Sequence, residues 1–270
     1  MTKPSMIEIL GKIRRSKTLF QFDNRWQLLI NRLFWPNHGP AIYRLGELEI
    51  FIDHSAGDQD GTRSCLVPGL YNPCLSAIKD LPKDLVVADL GSNGGGFLLF
   101  LKHKGYTIRR AVAVELNPHT WSRLVLNIYR NIPDALQNIT LLNGAAGGDD
   151  RKIEVSLGRG SVGDSISTES NTGAQQYRVP QFSLESIIRQ IEPEMDIDLC
   201  KIDIEGAEYD LLDNTDRTCL RRCRHLVIEI HDVAGRSAEA LKEQICAYGF
   251  QEIKPYINFI ETNVFIFSRN

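Results

Sequence analysis

The sequence predicts an α/β fold: a twisted, mostly parallel sheet flanked by helices, behind an N-terminal helical and β extension. Three observations predict it. From about residue 80 apolar strand-like runs alternate with helical stretches, the rhythm of a parallel sheet with crossovers. The first of these runs passes directly into "GSNGGG" (residues 91–96), four glycines in six positions where a strand meets a helix. The last two runs, "FQEIKPYI" and "NVFIFSR", are joined by too short a connection for a parallel crossover, so they should pair antiparallel.

Residues 1–80 are read as an extension or cap, with a soft boundary at 79–83 and the main domain at 81–270. Within the cap, apolar helical stretches run between Phe20 and Trp35, and "AIYRLGELEIFID" reads as a hairpin turning at Gly46. "DLVVADLG" is then the first strand of the sheet, and "GGFLLFLKHKG" a helix closed by Gly105. "RAVAVEL" is the second strand; Asn117 caps the next helix, with Pro118 at its first position. "NITLLNGAAG" holds the third strand. "RKIEVSLG" and "QYRVPQFS" are extended pieces on either side of a Gly- and Ser-rich loop at 159–175. "DIDLCKIDIEG" and "RHLVIEIH" supply the fourth and fifth strands, and "GRSAEALKEQICAYG" is a helix ending at Gly249.

Composition excludes several classes. A formal charge of -3, from 31 basic and 34 acidic residues, gives no general attraction to phosphate backbones, so nucleic acid is not expected as a partner. No apolar run reaches the roughly 20 residues of a membrane span. Met6, Ile9, Leu10 and Ile13 fall near helical spacing among Lys12, Arg14, Arg15 and Lys17, which suits a helix packed on its own protein, or a membrane-surface helix. The six cysteines lack CxxC spacing and read as reduced thiols of a cytoplasmic protein. Cys219 and Cys223 could share a helical face, and packing is their expected role. Asn138-Ile139-Thr140 matches a glycosylation acceptor but sits in a strand-like run.

A strand, a glycine-rich turn and a helix bring bare amides and the positive end of a helix to the carboxyl edge of a sheet, where nucleotide-like ligands bind. The dinucleotide fingerprint needs glycine where this chain has Asn93, and no P-loop pattern is present. Glu115, ending the second strand, stands where its position relative to the loop suits a ligand contact. "ADLGSNGG" resembles the first motif of class I S-adenosylmethionine-dependent methyltransferases. With "AVELNP", "NGAAG", "KIDIEGAEYDLL" and "LVIEIH" in the same order, residues 80–268 resemble the FkbM family of methyltransferases. The resemblance implies a Rossmann-like seven-stranded, mostly parallel sheet with an antiparallel C-terminal strand, and O-methylation of a hydroxyl on a glycan or natural product. It implies S-adenosylmethionine lying along Asp89, Gly91, Ser92, Asn93 and Gly94. Glu115 then meets its ribose, Leu116 and Asn117 also border the cofactor, and Asn143, Gly144 and Ala145 lie near its adenine, with Asp203 beside the sulfonium. Phe97 and Trp121, close to these motifs, have helical core as their default role.

Side chains on a strand alternate, so Lys201 and Asp203 share one face, as do Glu229 and His231. A buried lysine needs a carboxylate; Glu229 is the first expected partner and Asp203 the second. His231 is the candidate base for the acceptor hydroxyl, Asp203 its orienter, and Glu205 a substrate contact or a cap of the following helix. A divalent ion, if one were used, would sit on Asp203, Glu229 and His231, with Glu205 near. Two other readings stand beside this one: a nicotinamide-dependent oxidoreductase, against which Asn93 argues, and a methyltransferase-like module that binds without turnover. His119 is expected at the surface; His38, His54, His103 and His225 lack convergent partners in sequence.

Overall fold

The computed structural model describes residues 17–34, 39–58, 61–67, 69–157, 175–254 and 263–269. The expectations for residues 6–13, for His38 and for the 159–175 loop up to its last residue lie outside them.

The cap begins with a 3₁₀ turn (Lys17–Gln21) and helix α1 (Arg25–Phe34), followed by the hairpin β1 (Pro40–Leu45) and β2 (Leu48–Asp53) and two short helices, α2 (Thr62–Leu66) and α3 (Asn72–Ala77). The hairpin turns at Gly46, whose φ of 58° suits a residue without Cβ. Then come β3 (Asp84–Leu90), α4 (Gly96–His103), β4 (Thr107–Glu115), α5 (Pro118–Asn131), α6 (Ala135–Asn138) and β5 (Ile139–Asn143). The middle of the chain holds β6 (Ala145–Ala146), β7 (Arg151–Leu157), β8 (Gln175–Phe182) and α7 (Leu184–Ile188). Last are β9 (Ile197–Ile202), α8 (Glu208–Asp213), α9 (Arg217–Leu220), β10 (Cys223–Glu229), α10 (Ala238–Ala247), β11 (Phe250–Ile253) and β12 (Val264–Arg269).

The main sheet has seven strands in the order β11-β12-β10-β9-β3-β4-β5. β12 runs antiparallel to both neighbours, and the pairs among β5, β4, β3, β9 and β10 are parallel, as the sequence predicts. The two extended pieces of the middle segment pair antiparallel with each other and join β6 in a separate three-stranded sheet. Cys219 and Cys223 do not share a helix: Cys223 opens β10, and both thiols are buried and unpaired. Among the described residues no helix is long and apolar enough to cross a membrane.

Strand alternation divides the core into two faces. Leu85, Val87, Ala111, Ala113, Leu199 and Val227 join one apolar cluster with the cap and α4. Val86, Ala88, Val112, Cys200, Leu226 and Ile228 join another with α7, α8 and α10. The cap contributes Leu19, Phe22, Tyr43, Ile50 and Ile52 to the first cluster, and Tyr71 meets Phe97 edge-on at 4.9 Å.

Helix α5 joins the cap to the sheet. Its buried face carries Thr120, Arg123, Leu124, Asn127, Ile128 and Asn131 at helical spacing, three of them strongly polar. Among the described residues β2 pairs with a strand, β1, along one edge, and the two asparagines serve the other edge as a surrogate strand. Asn127 Oδ1 accepts from Phe51 N–H at 2.7 Å and Nδ2 donates to Phe51 C=O at 3.1 Å; Asn131 treats Glu49 in the same way at 2.8 and 2.9 Å. Arg123 donates to both oxygens of the fully buried Asp58, at 2.6 and 2.8 Å.

Candidate active site

Alternation also decides which polar groups gather at the carboxyl edge. Asp89 follows Val87 on the cap side of β3, and the strand register sets it opposite Lys201 of β9. Lys201 in turn pairs with Val227 of β10, and Ile202 with Ile228, so Glu229 stands level with Asp203 rather than with Lys201. This corrects the first expected partner, Glu229, and leaves the second, Asp203, joined by Asp89. Lys201 Nζ lies 3.3 Å from Asp203 and 3.5 Å from Asp89, and donates to Gly91 C=O at 2.6 Å. Lys201 remains charged although buried: these two carboxylates hold its pKa up against the desolvation that would lower it. Burial pushes the Asp89 carboxyl up, with Lys201 pulling the other way. Burial, with Asp203 beside it, raises Glu229.

The glycine-rich loop is held from three sides. Gly91 and Ser92 donate to Val114 C=O at 3.0 and 2.9 Å. Asn93, in left-handed backbone at φ 50°, donates its N–H to Glu115 Oε2 at 2.9 Å, while Glu115 Oε1 accepts from Asn117 N–H at 2.9 Å. A Cβ on Gly91 would stand 1.7 Å from Asp203 C=O, and one on Gly94 2.3 Å from Thr62 Oγ1. Gly94 is therefore packed between protein groups: its N–H meets Thr62 Oγ1 at 3.0 Å and its C=O accepts from Asn127 Nδ2 at 2.8 Å. The sequence reading places Gly91 and Gly94 of the glycine run along a ligand. The second half of the run is explained by close packing on α2 and α5.

Between this loop and the ends of β4, β9 and β10 opens a cavity of about 250 Å³. Of the residues expected around a cofactor, Gly91, Ser92, Asn93, Glu115, Leu116, Gly144, Ala145 and Asp203 line it, together with Glu205 and Glu229. Asp89, Gly94, Asn117 and Asn143 stand behind the wall. Asn117 spends its carboxamide capping α5 through His119 N–H at 2.9 Å; Asn143 donates to the carbonyls of Glu115 and Leu116 at 2.9 and 3.1 Å. Phe97 reaches the cavity from α4, and Trp121 packs against the core as its default role implies.

His231 also lies outside the lining, behind the acidic edge. Its Nδ1 hydrogen-bonds the fully buried Glu208 Oε1 at 3.0 Å, and its Nε2 stands 3.5 Å from Glu205 and 3.9 Å from Glu229. The bond to Glu208 is the main cause that raises its pKa to about 9, so it is protonated at neutral pH. Donor atoms of Asp203, Glu205 and His231 lie within 4.8 Å of one another, a set of oxygen and imidazole ligands that would suit a divalent ion; Glu229 completes the edge rather than that triplet.

Two groups of site residues escape the sequence reading. Glu208 stands in "KIDIEGAE" without a role there, yet it receives Ile204 N–H at 3.0 Å and orients His231. From the cap, Gly61, Ser64, Cys65, Leu70 and Tyr71 close the cavity. They carry no motif; only the alignment of α2 beneath the glycine turn brings them there. Desolvation pushes the Cys65 thiol up to about 12, which keeps it neutral and unreactive. His119 is exposed as expected and meets Tyr177 at 3.0 Å; His225 is buried against Ser268 at 2.6 Å.

A parallel sheet with one reversed strand, a glycine-rich turn after its first strand and an acid closing the next defines a Rossmann-like methyltransferase fold. The methyltransferase FkbM domain model matches residues 89–258, and the chain belongs to that family. It is 27% identical over 208 residues to the AMB antimetabolite synthetase AmbE of Pseudomonas aeruginosa, covering 63% of this chain and 10% of that one. It is 25% identical over 186 residues to methyltransferase sdnD of Sordaria araneosa, covering 58% and 71%. The crystal structure of methyltransferase FkbM from Methylobacillus flagellatus superposes with a TM-score of 0.50 at 16% identity, over 97% of this chain and 60% of that one. The chain thus spans a small part of the synthetase and three fifths of the bacterial structure.

Proposed function

We propose that the chain is an S-adenosylmethionine-dependent O-methyltransferase acting on a hydroxyl of a sugar, glycan or other natural product, in the reducing cytoplasm that its six unpaired cysteines suit. The observation that carries this reading is the charge of the cavity wall. Glu115, Asp203, Glu205 and Glu229 line it, and the one cation among the described lining residues, Lys201, is already matched by Asp89 and Asp203. Such a wall attracts a sulfonium and an ammonium group and repels the diphosphate of a nicotinamide dinucleotide. Among the described residues neither carboxyl oxygen of the buried Asp89 accepts a hydrogen bond of ordinary length, Lys201 Nζ standing 3.5 Å away.

Bound there, S-adenosylmethionine would supply an electrophilic methyl group on a positive sulfur. Glu115, its carboxylate fixed by Asn93 and Asn117 N–H, would accept from the ribose hydroxyls. The backbone of Gly91, Ser92 and Asn93 would border the amino-acid part, and Leu116, Gly144 and Ala145 the base, with Asp89, Gly94, Asn117 and Asn143 supporting them from behind. Asp203 and Glu205 would orient the acceptor hydroxyl. Because His231, held at Nδ1 by Glu208, already carries its proton at neutral pH, the hydroxyl proton would pass to the carboxylate of Glu205 or Glu229 beside its Nε2 rather than to the imidazole that the sequence suggests as base. A relative named as an antimetabolite synthetase suits a natural-product acceptor.

The test is transfer of a labelled methyl group to a panel of glycans and hydroxylated natural products. The expected product is a base-stable methyl ether, with Asp203→Asn lowering turnover about 10²-fold or more while adenosylhomocysteine still binds. Label found only on nitrogen or as a base-labile ester, or no transfer at all alongside normal binding, would refute O-methylation of a hydroxyl. Activity lost in chelator and restored by magnesium would add an ion at Asp203, Glu205 and His231.

A further inference from the structure

Eight large apolar side chains are exposed among the described residues, and five of them, Phe20, Trp26, Ile30, Phe34 and Ile42, fall in the short cap segment between residues 20 and 42. Scattered exposed apolar groups are ordinary; a contiguous set is not. Trp26, Ile30 and Phe34 recur every fourth residue along α1 and are 61%, 50% and 70% exposed, while Leu28 fixes the opposite face of the helix to the core. Phe20, from the preceding turn, extends the stripe by meeting Trp26 edge-on at 5.9 Å.

The charge of this region runs against the rest of the chain. The first 35 residues hold seven Lys and Arg against two Asp and Glu, in a protein whose formal charge is -3. A ten-residue helix is too short to span a bilayer. Tryptophan and phenylalanine on one side of a helix in a basic segment are the elements of a helix lying in the headgroup region of an anionic bilayer. An acidic protein partner would match the charge alone, and a second copy the apolar stripe alone; an anionic lipid surface matches both.

We propose that α1 and its preceding turn form a docking surface for anionic lipid membranes, with Trp26 and Ile30 entering the headgroup and acyl boundary. This binding is independent of the methyl-transfer reading, since neither residue lines the cavity.

Sedimentation of the full chain with vesicles of phosphatidylcholine, alone or with phosphatidylglycerol, tests it. The expected result is partition onto the anionic vesicles only, weakened by salt, and reduced at least about tenfold in Trp26→Ser/Ile30→Ser. Methyl transfer to a soluble acceptor and the far-ultraviolet circular dichroism of that variant should match wild type. No partition onto anionic vesicles, or partition that the double substitution leaves unchanged, overturns the proposal. So does light scattering that shows a dimer in the wild type and a monomer in the variant, which would assign the stripe to a second copy.

Discussion

At the scale of single residues, two histidines should pull stability in opposite directions with pH. His231 binds its proton more tightly folded than unfolded, at about 9 against an ordinary 6.5, because Glu208 holds the imidazolium. Its contribution, up to about 3 kcal/mol, is complete below pH 6.5 and lost as pH rises through 9. His225 is lowered by burial, so the unfolded chain binds the proton more readily and stability falls as pH drops through 6.5 and below. Urea unfolding across pH should show both limbs. His231→Gln should flatten the alkaline one and His225→Asn the acidic one; a variant that left its own limb intact would contradict the assignment. Lys201→Met should cost about 3–5 kcal/mol, because it strands Asp89 in a closed interior. The sequence marks Lys201 as a buried charge in need of a carboxylate. It cannot say which, because that depends on the offset between β9 and β10, and only the register sets Glu229 beside Asp203 instead. Glu208 shows the same limit: its type and position are plain, but its task depends on where β10 ends.

At the scale of the element, the glycine turn serves two surfaces at once. Gly91 has positive φ and abuts Asp203 C=O, so Gly91→Ala should prevent folding or cofactor binding outright, with no neighbouring side chain whose removal would relieve it. Gly94→Ala strikes a side-chain oxygen, so adding Thr62→Ala should recover part of the lost stability. Thermal denaturation of the four Gly94 and Thr62 combinations measures this, and strictly additive effects would count against the contact. Sequence placed the strand, turn and helix correctly because each has a local signature: the apolar run, the glycines, and the Asn117-Pro118 start of the helix after. The packing of Gly94 on Thr62 is not legible there, because Thr62 is some thirty residues away and unmarked by any pattern.

At the scale of the whole molecule, the cap is joined to the sheet by apolar packing and by polar groups that would be left unsatisfied without it. Leu19, Phe22, Ile50 and Ile52 share a cluster with Phe97 and Leu101, and Asp58 buries an ion pair with Arg123 of α5. Residues 81–270 alone should therefore fail to fold as a monomer, and Asp58→Ala should cost about 3–5 kcal/mol by leaving Arg123 unpaired. Sequence divided the chain at about residue 80 because the strand-helix rhythm starts there; a change of rhythm marks a change of architecture and does not measure packing across it. The parallel order and the reversed last strand were legible because connection length limits which strands can pair. The contribution of the cap to the cavity was not, since Gly61, Ser64, Cys65, Leu70 and Tyr71 follow no period. The central claim is that the acidic cavity beside the glycine turn receives S-adenosylmethionine. Isothermal calorimetry with adenosylhomocysteine tests it most directly. Binding at one site, weakened about ten- to a hundredfold by Glu115→Gln, is the predicted result. No heat with adenosylhomocysteine or S-adenosylmethionine, or equal binding by the folded Glu115→Gln variant, would contradict it.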